Sequence, residues 1–437
     1  MSNIIENDLK KLTEELASIE IPKEALHQAR LRAANNSRLD RRRKRRLYSL
    51  VSAAAIVLLL FVTSVRVSPV FAQAVAKIPG FSSLVDMIAY DKGIEDIVEN
   101  NYYEELGIVV TEGDYTLTLQ GVIADHSGMI VSYKLEAPFD LSKLDSNYMF
   151  VSQQGIPLSV GTSFSGPPLD GTTVLEQKIE IVSPEGLSYE NKTFEFNIHL
   201  SDTAKTKFIV PFTLTKSIEQ PKVYEINQSV VVDDQKLEVK QLKISPLRAE
   251  IKIAVDGHNT MQLLDFTSVR LIDEKGEDWG KIRNGSVGFG TLRDGEVSVF
   301  IQSNYFRQPK ELTLVMDKIE ALPKGSDYIK VDFEQRKVLY VPSELDIDVQ
   351  VTSSNTLEIA YPTASPNHIK ELLYGVVDHN GNEYNIIETM SSSNEQESYM
   401  ESTYTFNFDN EVNPIRFNIN SYPLYLEGKV EVAIPLD

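Results

Sequence analysis

From Leu47 to Val65 the chain runs 19 residues without a charge. At about 1.5 Å per residue that is roughly 28 Å of helix, close to the ~30 Å hydrocarbon core of a bilayer. The pattern predicts a membrane-spanning helix over residues 47–67. Arg41, Arg42, Arg43, Lys44, Arg45 and Arg46 abut its N-terminal side, whereas the far side offers only Arg66 and then Lys77. The positive-inside bias places the N-terminus in the cytoplasm and residues 68–437 outside, in a single-pass protein of the cell membrane with the lipid bilayer as a partner. Ala72-Gln73-Ala74 reads like a cleavage site, but 46 residues precede the apolar run, more than the roughly 15–30 of a whole signal peptide.

On either side of that run the apolar positions follow other periods. Ile5, Leu9, Leu12, Leu16 and Ile19 are spaced 4, 3, 4 and 3, one narrow stripe on a helix. Pro22 can start a second helix, carried by Ala25, Leu26, Ala29 and Ala33 before Asn35-Asn36-Ser37 breaks it. Residues 1–46 thus form a helical leader too small to bury a core, and a partner's groove is the expected place for its stripe. Beyond the span, residues 68–107 read as a stalk with a short amphipathic helix between Phe81 and Val98. With seven acidic residues among the 22 from Asp86 to Gly107, this stalk is expected to open locally and to offer a site to envelope proteases.

From Ile108 the period falls to two, and strands continue to the C-terminus. An internal repeat orders them. Tyr115–Ile123 with Met129–Leu135 resembles Leu237–Ile244 with Ala249–Val255, and Leu345–Val351 with Thr356–Tyr361. A hairpin ending in glycine recurs at Gly155, Gly276 and Gly381, and closing strands recur at Thr193–Leu200, Glu311–Met316 and Thr403–Phe408. The expected fold is mainly β, with three tandem immunoglobulin-like sandwiches over 108–217, 218–340 and 341–437.

Composition narrows the chemistry. The chain has no cysteine, which removes disulfide frameworks, thiol catalysis and cysteine-bound zinc. Residues 1–46 carry a net charge of +5 and the remainder −25, so the β region is poorly suited to nucleic acid or anionic lipid. The basic hexamer is explained as a topology determinant rather than a nucleic-acid site. The six histidines, at 27, 126, 199, 258, 368 and 379, form no pair at helical spacing, and Asp378-His379-Asn380-Gly381 reads as a hairpin turn. Asp233-Asp234 and Asp273-Glu274 lack the spacing of a calcium loop. No phosphate loop or nucleophile elbow is present, so no enzyme, cofactor, metal or catalytic residue is expected.

Two stretches carry a family likeness. Ser68-Pro69-Val70-Phe71-Ala72 running into Lys77-Ile78-Pro79-Gly80-Phe81, after a basic leader and one span, resembles a Gram-positive family of single-span proteins that includes transmembrane anti-sigma factors for extracytoplasmic-function sigma factors. Lys243-Ile244-Ser245-Pro246-Leu247-Arg248, with Leu271–Trp279 and Gln302-Ser303-Asn304-Tyr305-Phe306, is similar to an immunoglobulin-like domain that commonly follows in such proteins. The resemblance implies envelope signalling, with Ile5, Leu9, Leu12, Leu16 and Ile19 as the sigma-factor-binding surface. The zinc form of the anti-sigma domain is excluded, since His27 stands without cysteines. The other class the sequence allows is a cell-surface adhesion or wall-binding protein with no regulatory role, although an adhesin needs no amphipathic stripe in its leader.

Overall fold

The computed structural model describes Lys10, Thr13 and residues 91–437, apart from short stretches at 145–147, 165–170, 184, 281–287, 290–291, 294, 363–371, 385, 395–398, 408–412 and 437. A helix, α1 (Lys92–Glu99), leads into the β region. The first module comprises β1 (Glu104–Glu112), β2 (Tyr115–Asp125), β3 (Gly128–Glu136), β4 (Tyr148–Gln153), β5 (Ile156–Pro157), β6 (Gly161–Phe164), β7 (Val174–Val182), β8 (Thr193–His199) and β9 (Lys207–Thr213). Its two antiparallel sheets run β1-β2-β3-β7-β6 and β5-β4-β8-β9. Alternation decides the faces. In β9, Phe208, Val210 and Phe212 are buried between the sheets while Lys207, Ile209, Pro211 and Thr213 are exposed.

The second module begins with β10 (Lys222–Val232), β11 (Gln235–Ile244), β12 (Ala249–Val255), β13 (Met261–Asp273), β14 (Asp278–Trp279), β15 (Gly288–Phe289), β16 (Glu296–Ile301) and β17 (Leu312–Pro323). The chain then leaves to build the third module from β18 (Tyr328–Asp332), β19 (Lys337–Tyr340), β20 (Asp348–Val351), β21 (Thr356–Pro362), β22 (Leu373–Val377), β23 (Glu383–Tyr384), β24 (Ile386–Asn394), β25 (Tyr399–Phe406) and β26 (Ile415–Ile419). It returns with β27 (Val430–Ala433) to finish the second. The sheets of the second module run β10-β11-β12-β16-β15 and β14-β13-β17-β27, position for position the order of the first, with β27 in the place of β9. Strands β2, β3, β7 and β6 against β4, β8 and β9 give an order compatible with an immunoglobulin-like sandwich.

The third module pairs β20-β21-β25-β24 with β19-β18-β26-β22-β23. Here β18, the first strand of the module, fills the place beside β26 that β9 fills beside β8. Strands β18 and β27 have therefore exchanged modules: β17 pairs with β27 and β26 with β18. The cores follow the exchange, since Leu426, Val430, Val432 and Ile434 are buried with the second module's residues.

Several expectations change. Among the described residues no helix is long and apolar enough to cross a membrane. With eight residues, α1 spans only about 12 Å. The run expected to span the bilayer, 47–67, lies outside the described residues, so the predicted membrane helix finds no support, and among the described residues the fold is mainly β, with six antiparallel sheets and the short helix α1. A tandem boundary at 340/341 gives way to the exchange. Thr403–Phe406 belongs to β25, in the place of β7 rather than β8. The stalk expected over 68–107 is, in its described part, packed into the body. Ile94, Ile97 and Tyr103 are buried, and so are the acidic Asp91, Asp96 and Glu104.

The recurrent hairpins do occupy equivalent places, β4–β5, β13–β14 and β22–β23. Gly155, Gly276 and Gly381 have φ of 75°, 76° and 85° with open space around them, so the backbone conformation, not crowding, calls for glycine. In two of these turns an aspartate folds back on the chain. Asp273 Oδ1 accepts from the amides of Lys275 and Glu277, and Asp378 Oδ1 from those of Asn380 and Asn382.

Candidate functional site

A set of buried charged groups, Asp91, Asp96, Asp125, Glu180 and Arg248, lies where α1, the first module and the second module meet. Equivalent turns face each other there. The β2–β3 turn of the first module holds Asp125, whose Oδ1 accepts from the Ser127 amide (2.7 Å), the Ser127 hydroxyl (2.6 Å) and the Gly128 amide (3.2 Å). The β11–β12 turn of the second module, Ser245–Arg248, donates its Leu247 amide to Asp125 Oδ2 at 2.6 Å. Gly128 lets this turn lie against β7 of its own module: a Cβ there would lie 1.9 Å from the Ile181 carbonyl oxygen, and its φ is 155°. Tyr189 donates its hydroxyl to the Asp125 carbonyl at 2.6 Å, and Tyr102 to the Ala124 carbonyl at 2.9 Å.

Arg248, only 1% exposed, reaches Glu180 on β7 at 3.1 Å through Nη2 and lies over the Phe300 ring. Its Nε and Nη1 have no partner among the described residues. Ser303 donates its hydroxyl to the Ser245 carbonyl at 2.6 Å, tying the segment after β16 to the same turn.

Helix α1 is seated on this junction. Asp91 caps it, accepting from the Gly93 amide at 2.8 Å. A Cβ on Gly93 would meet the Ser303 carbonyl oxygen at 2.9 Å, so the first turn rests directly on second-module backbone. Lys92 donates its amide to Gln302 Oε1 and its ammonium to the Asp278 carbonyl, and stands 5.5 Å from the centre of the buried Trp279 ring. Asp96 receives Arg307 in a fork, Nε to Oδ2 at 2.9 Å and Nη2 to Oδ1 at 2.5 Å.

The electrostatics follow from burial. Asp91, Asp125 and Glu180 share one buried guanidinium, Arg248. Burial pushes the Asp91 carboxyl up to about 6, its own amide bonds and Arg248 offsetting only part of the rise and Glu180 adding to it. Burial raises Asp125 as well, against hydrogen bonds from Ser127 and Leu247. Asp96 is raised for the same reason despite Arg307. The Ser127 hydroxyl that donates to Asp125 is buried with it, 4% and 0% exposed, inside the seam. Among the described residues no group of three His, Asp or Glu is placed to hold a metal. What the arrangement can do is take up protons and tie two modules and the entering helix into one body.

Sequence reading found one side of this junction: Ser245–Arg248, Trp279 and Gln302–Phe306, quoted above for their likeness to a family, converge on it. Asp91, Asp125 and Glu180 were missed, since single carboxylates in a turn, a strand and an acidic stretch carry no local signal. The predicted partner-binding residues Ile5, Leu9, Leu12, Leu16 and Ile19 lie outside the described residues. Of that segment Lys10 and Thr13 are helical and exposed.

The fold and junction define a multi-module β-sandwich protein whose modules are coupled through buried contacts. Residues 42–137 match a domain of unknown function (DUF4179), and residues 221–349 match a family of unknown function (DUF5643). The first match ends at the close of β3 and the second starts at β10, so both families contribute to the junction. No curated protein matches the chain. A solved structure of a conserved domain protein from Bacillus anthracis is similar at 15% identity over 55% of this chain and 84% of its own, with a TM-score of 0.35. An uncharacterised protein from Listeria monocytogenes EGD-e is similar at 10% identity over 68% of this chain and 29% of its own, with a TM-score of 0.15.

Proposed function

We propose that this chain is a regulator of the anti-sigma type. The leader stripe Ile5, Leu9, Leu12, Leu16 and Ile19 sequesters an extracytoplasmic-function sigma factor, and the three-module body is its sensing arm. The observation that supports this is the seating of α1: the segment entering the β region is held by Gly93 on Ser303 and by the Asp96–Arg307 fork, so a change at the junction reaches the helix that leads into the modules. Of the stalk's described part, Asp91–Val98 is buried or half-buried and opposes cutting, whereas the exposed turn Glu99–Asn101 stays open to it.

The test is Leu12→Asp in the full chain. Each leucine buried in a groove contributes roughly 1.5–3 kcal/mol, and a buried unpaired carboxylate adds a further penalty. Transcription from the cognate sigma-dependent promoter is expected to rise. Unchanged transcription with the variant at normal abundance overturns the proposal and favours an adhesion or wall-binding role. The outer face of β4 and β8, where Tyr148, Phe150 and His199 have ring centroids 5.2–5.9 Å apart and Tyr148 is 62% exposed, would then be the surface to examine.

A further inference from the structure

The exchange of β18 and β27 leaves the second module with a strand site that its own local chain does not fill. In the first module β9 follows β8 across a short loop and closes the sheet. In the second, β17 is followed after four residues by β18, but β18 is held elsewhere. Arg293 of the second module donates to the Asp327 carboxylate, to the Asp327 carbonyl and to the Ile419 carbonyl, fixing the start of β18 and the end of β26 to each other. The vacant place beside β17 is filled by residues that follow it by more than 100 positions. Ala321 donates to the Leu424 carbonyl, Glu320 bridges to Tyr425, and Leu426 donates to the Ile319 carbonyl. Met316, Val315, Leu314 and Thr313 then pair with Val430, Glu431, Val432 and Ala433, and Ile434 donates to the Leu312 carbonyl. Val430, Val432 and Ile434 insert into the second core while Glu431 and Ala433 face out. Glu427, Gly428 and Lys429 between the two paired stretches are exposed.

We infer that the groove along β17 is a strand-binding site whose ligand is an extended peptide with the alternation of residues 428–437, supplied in cis by the chain's own C-terminal strand. Backbone pairing gives such a site its affinity, and the alternate apolar pockets give it selectivity for Val, Val and Ile at every second position. Closure of the second module then waits for residues 424–434, whereas the first module, complete by residue 214, does not.

The test uses the full chain with a protease site placed at Glu427-Gly428-Lys429, folded and then nicked. A fluorescent peptide of residues 428–437 is expected to enter the nicked protein and not the uncut one. The same peptide with Val432→Asp is expected to bind at least about tenfold more weakly, since a buried valine alone accounts for that factor. Hydrogen exchange supplies a second readout. Removal of the cut fragment should expose the β17 amides that pair with β27, excess wild-type peptide should protect them again, and first-module amides and those facing β13 should not change. Full protection of β17 with no strand bound, or exposure that excess peptide does not reverse, overturns the inference.

Discussion

The first and second modules meet through side chains, and the second and third through shared backbone. At the first junction Asp125, Glu180 and Arg248 are buried across a seam that no strand crosses, and α1 rests on the second module's side of it. At the second, the third module (β18–β26) is inserted between β17 and β27 of the second, so the two modules are joined by two passages of backbone. A seam of buried charges depends on protonation and on single residues. A strand exchange depends on neither. The difference assigns them different work: the first junction is suited to respond, the second to hold.

The largest effect is expected from Arg248→Ala. It removes the one guanidinium that faces Asp125, Glu180 and Asp91, and truncating one partner of a buried ion pair costs about 3–5 kcal/mol because the carboxylates stay buried without it. Denaturant unfolding should show a loss of that size, and hydrogen exchange should place it at the β2–β3 and β11–β12 turns and in α1, leaving β17 and β27 unchanged. A loss below about 1 kcal/mol would mean that the seam is not held by charge.

How far these two junctions could be read beforehand differs as well. The glycine hairpins at Gly155, Gly276 and Gly381 were legible because a positive φ restricts the residue type locally. The strand pairs were legible because alternation is local too. The exchange was not, since β18 and β27 have the same alternation and nothing in either says which neighbour it will pair with. The same limit explains the misplaced third closing strand at Thr403–Phe408. At the first junction, Ser245–Arg248 stood out as a signature, but its partner Asp125 lies 122 residues earlier. The acidic run from Asp91 to Glu105 looked solvated because Arg307, which neutralises Asp96, lies 211 residues away.

A second prediction turns on protons at the first junction. Burial lifts Asp91 from 3.8 unfolded to about 6 folded, so folding takes up a proton between those values. The stabilisation is complete below about pH 4 and is lost as the pH rises through 6, amounting to at most about 3 kcal/mol at 1.36 kcal/mol per pKa unit. The Asp125 and Asp96 carboxyls, also raised by burial, act in the same direction. Asp91→Asn keeps an oxygen for the Gly93 amide and removes the charge. Its stability at pH 7 is expected to exceed that of the unaltered chain by up to that amount, with the two curves meeting near pH 4. Parallel curves across pH 4–7 would remove Asp91 from the response.

The smallest effect is expected at the second junction, from Arg293→Ala. Burial alone would raise the Asp327 carboxyl, but the Arg293 bond and the Gly325 amide outweigh it and hold it below the usual aspartate range, so the pair is ionised and in contact at neutral pH. Arg293 is nonetheless partly exposed, its side chain at 21%, and its loss lets water reach Asp327 and the Ile419 carbonyl. Hydrogen bonds of this kind contribute about 1.5 kcal/mol when charged and less when solvent can replace them, which puts the cost near 1 kcal/mol. The third module remains joined to the second by both of its ends, β17 to β18 and β26 to β27, so the two should still unfold in one transition, measured by denaturant titration with hydrogen exchange on β26 and β27. Separate transitions in this variant would show that the arginine, rather than the exchanged strands, keeps the two modules together, and the contrast between the junctions would then be one of degree in buried charge alone.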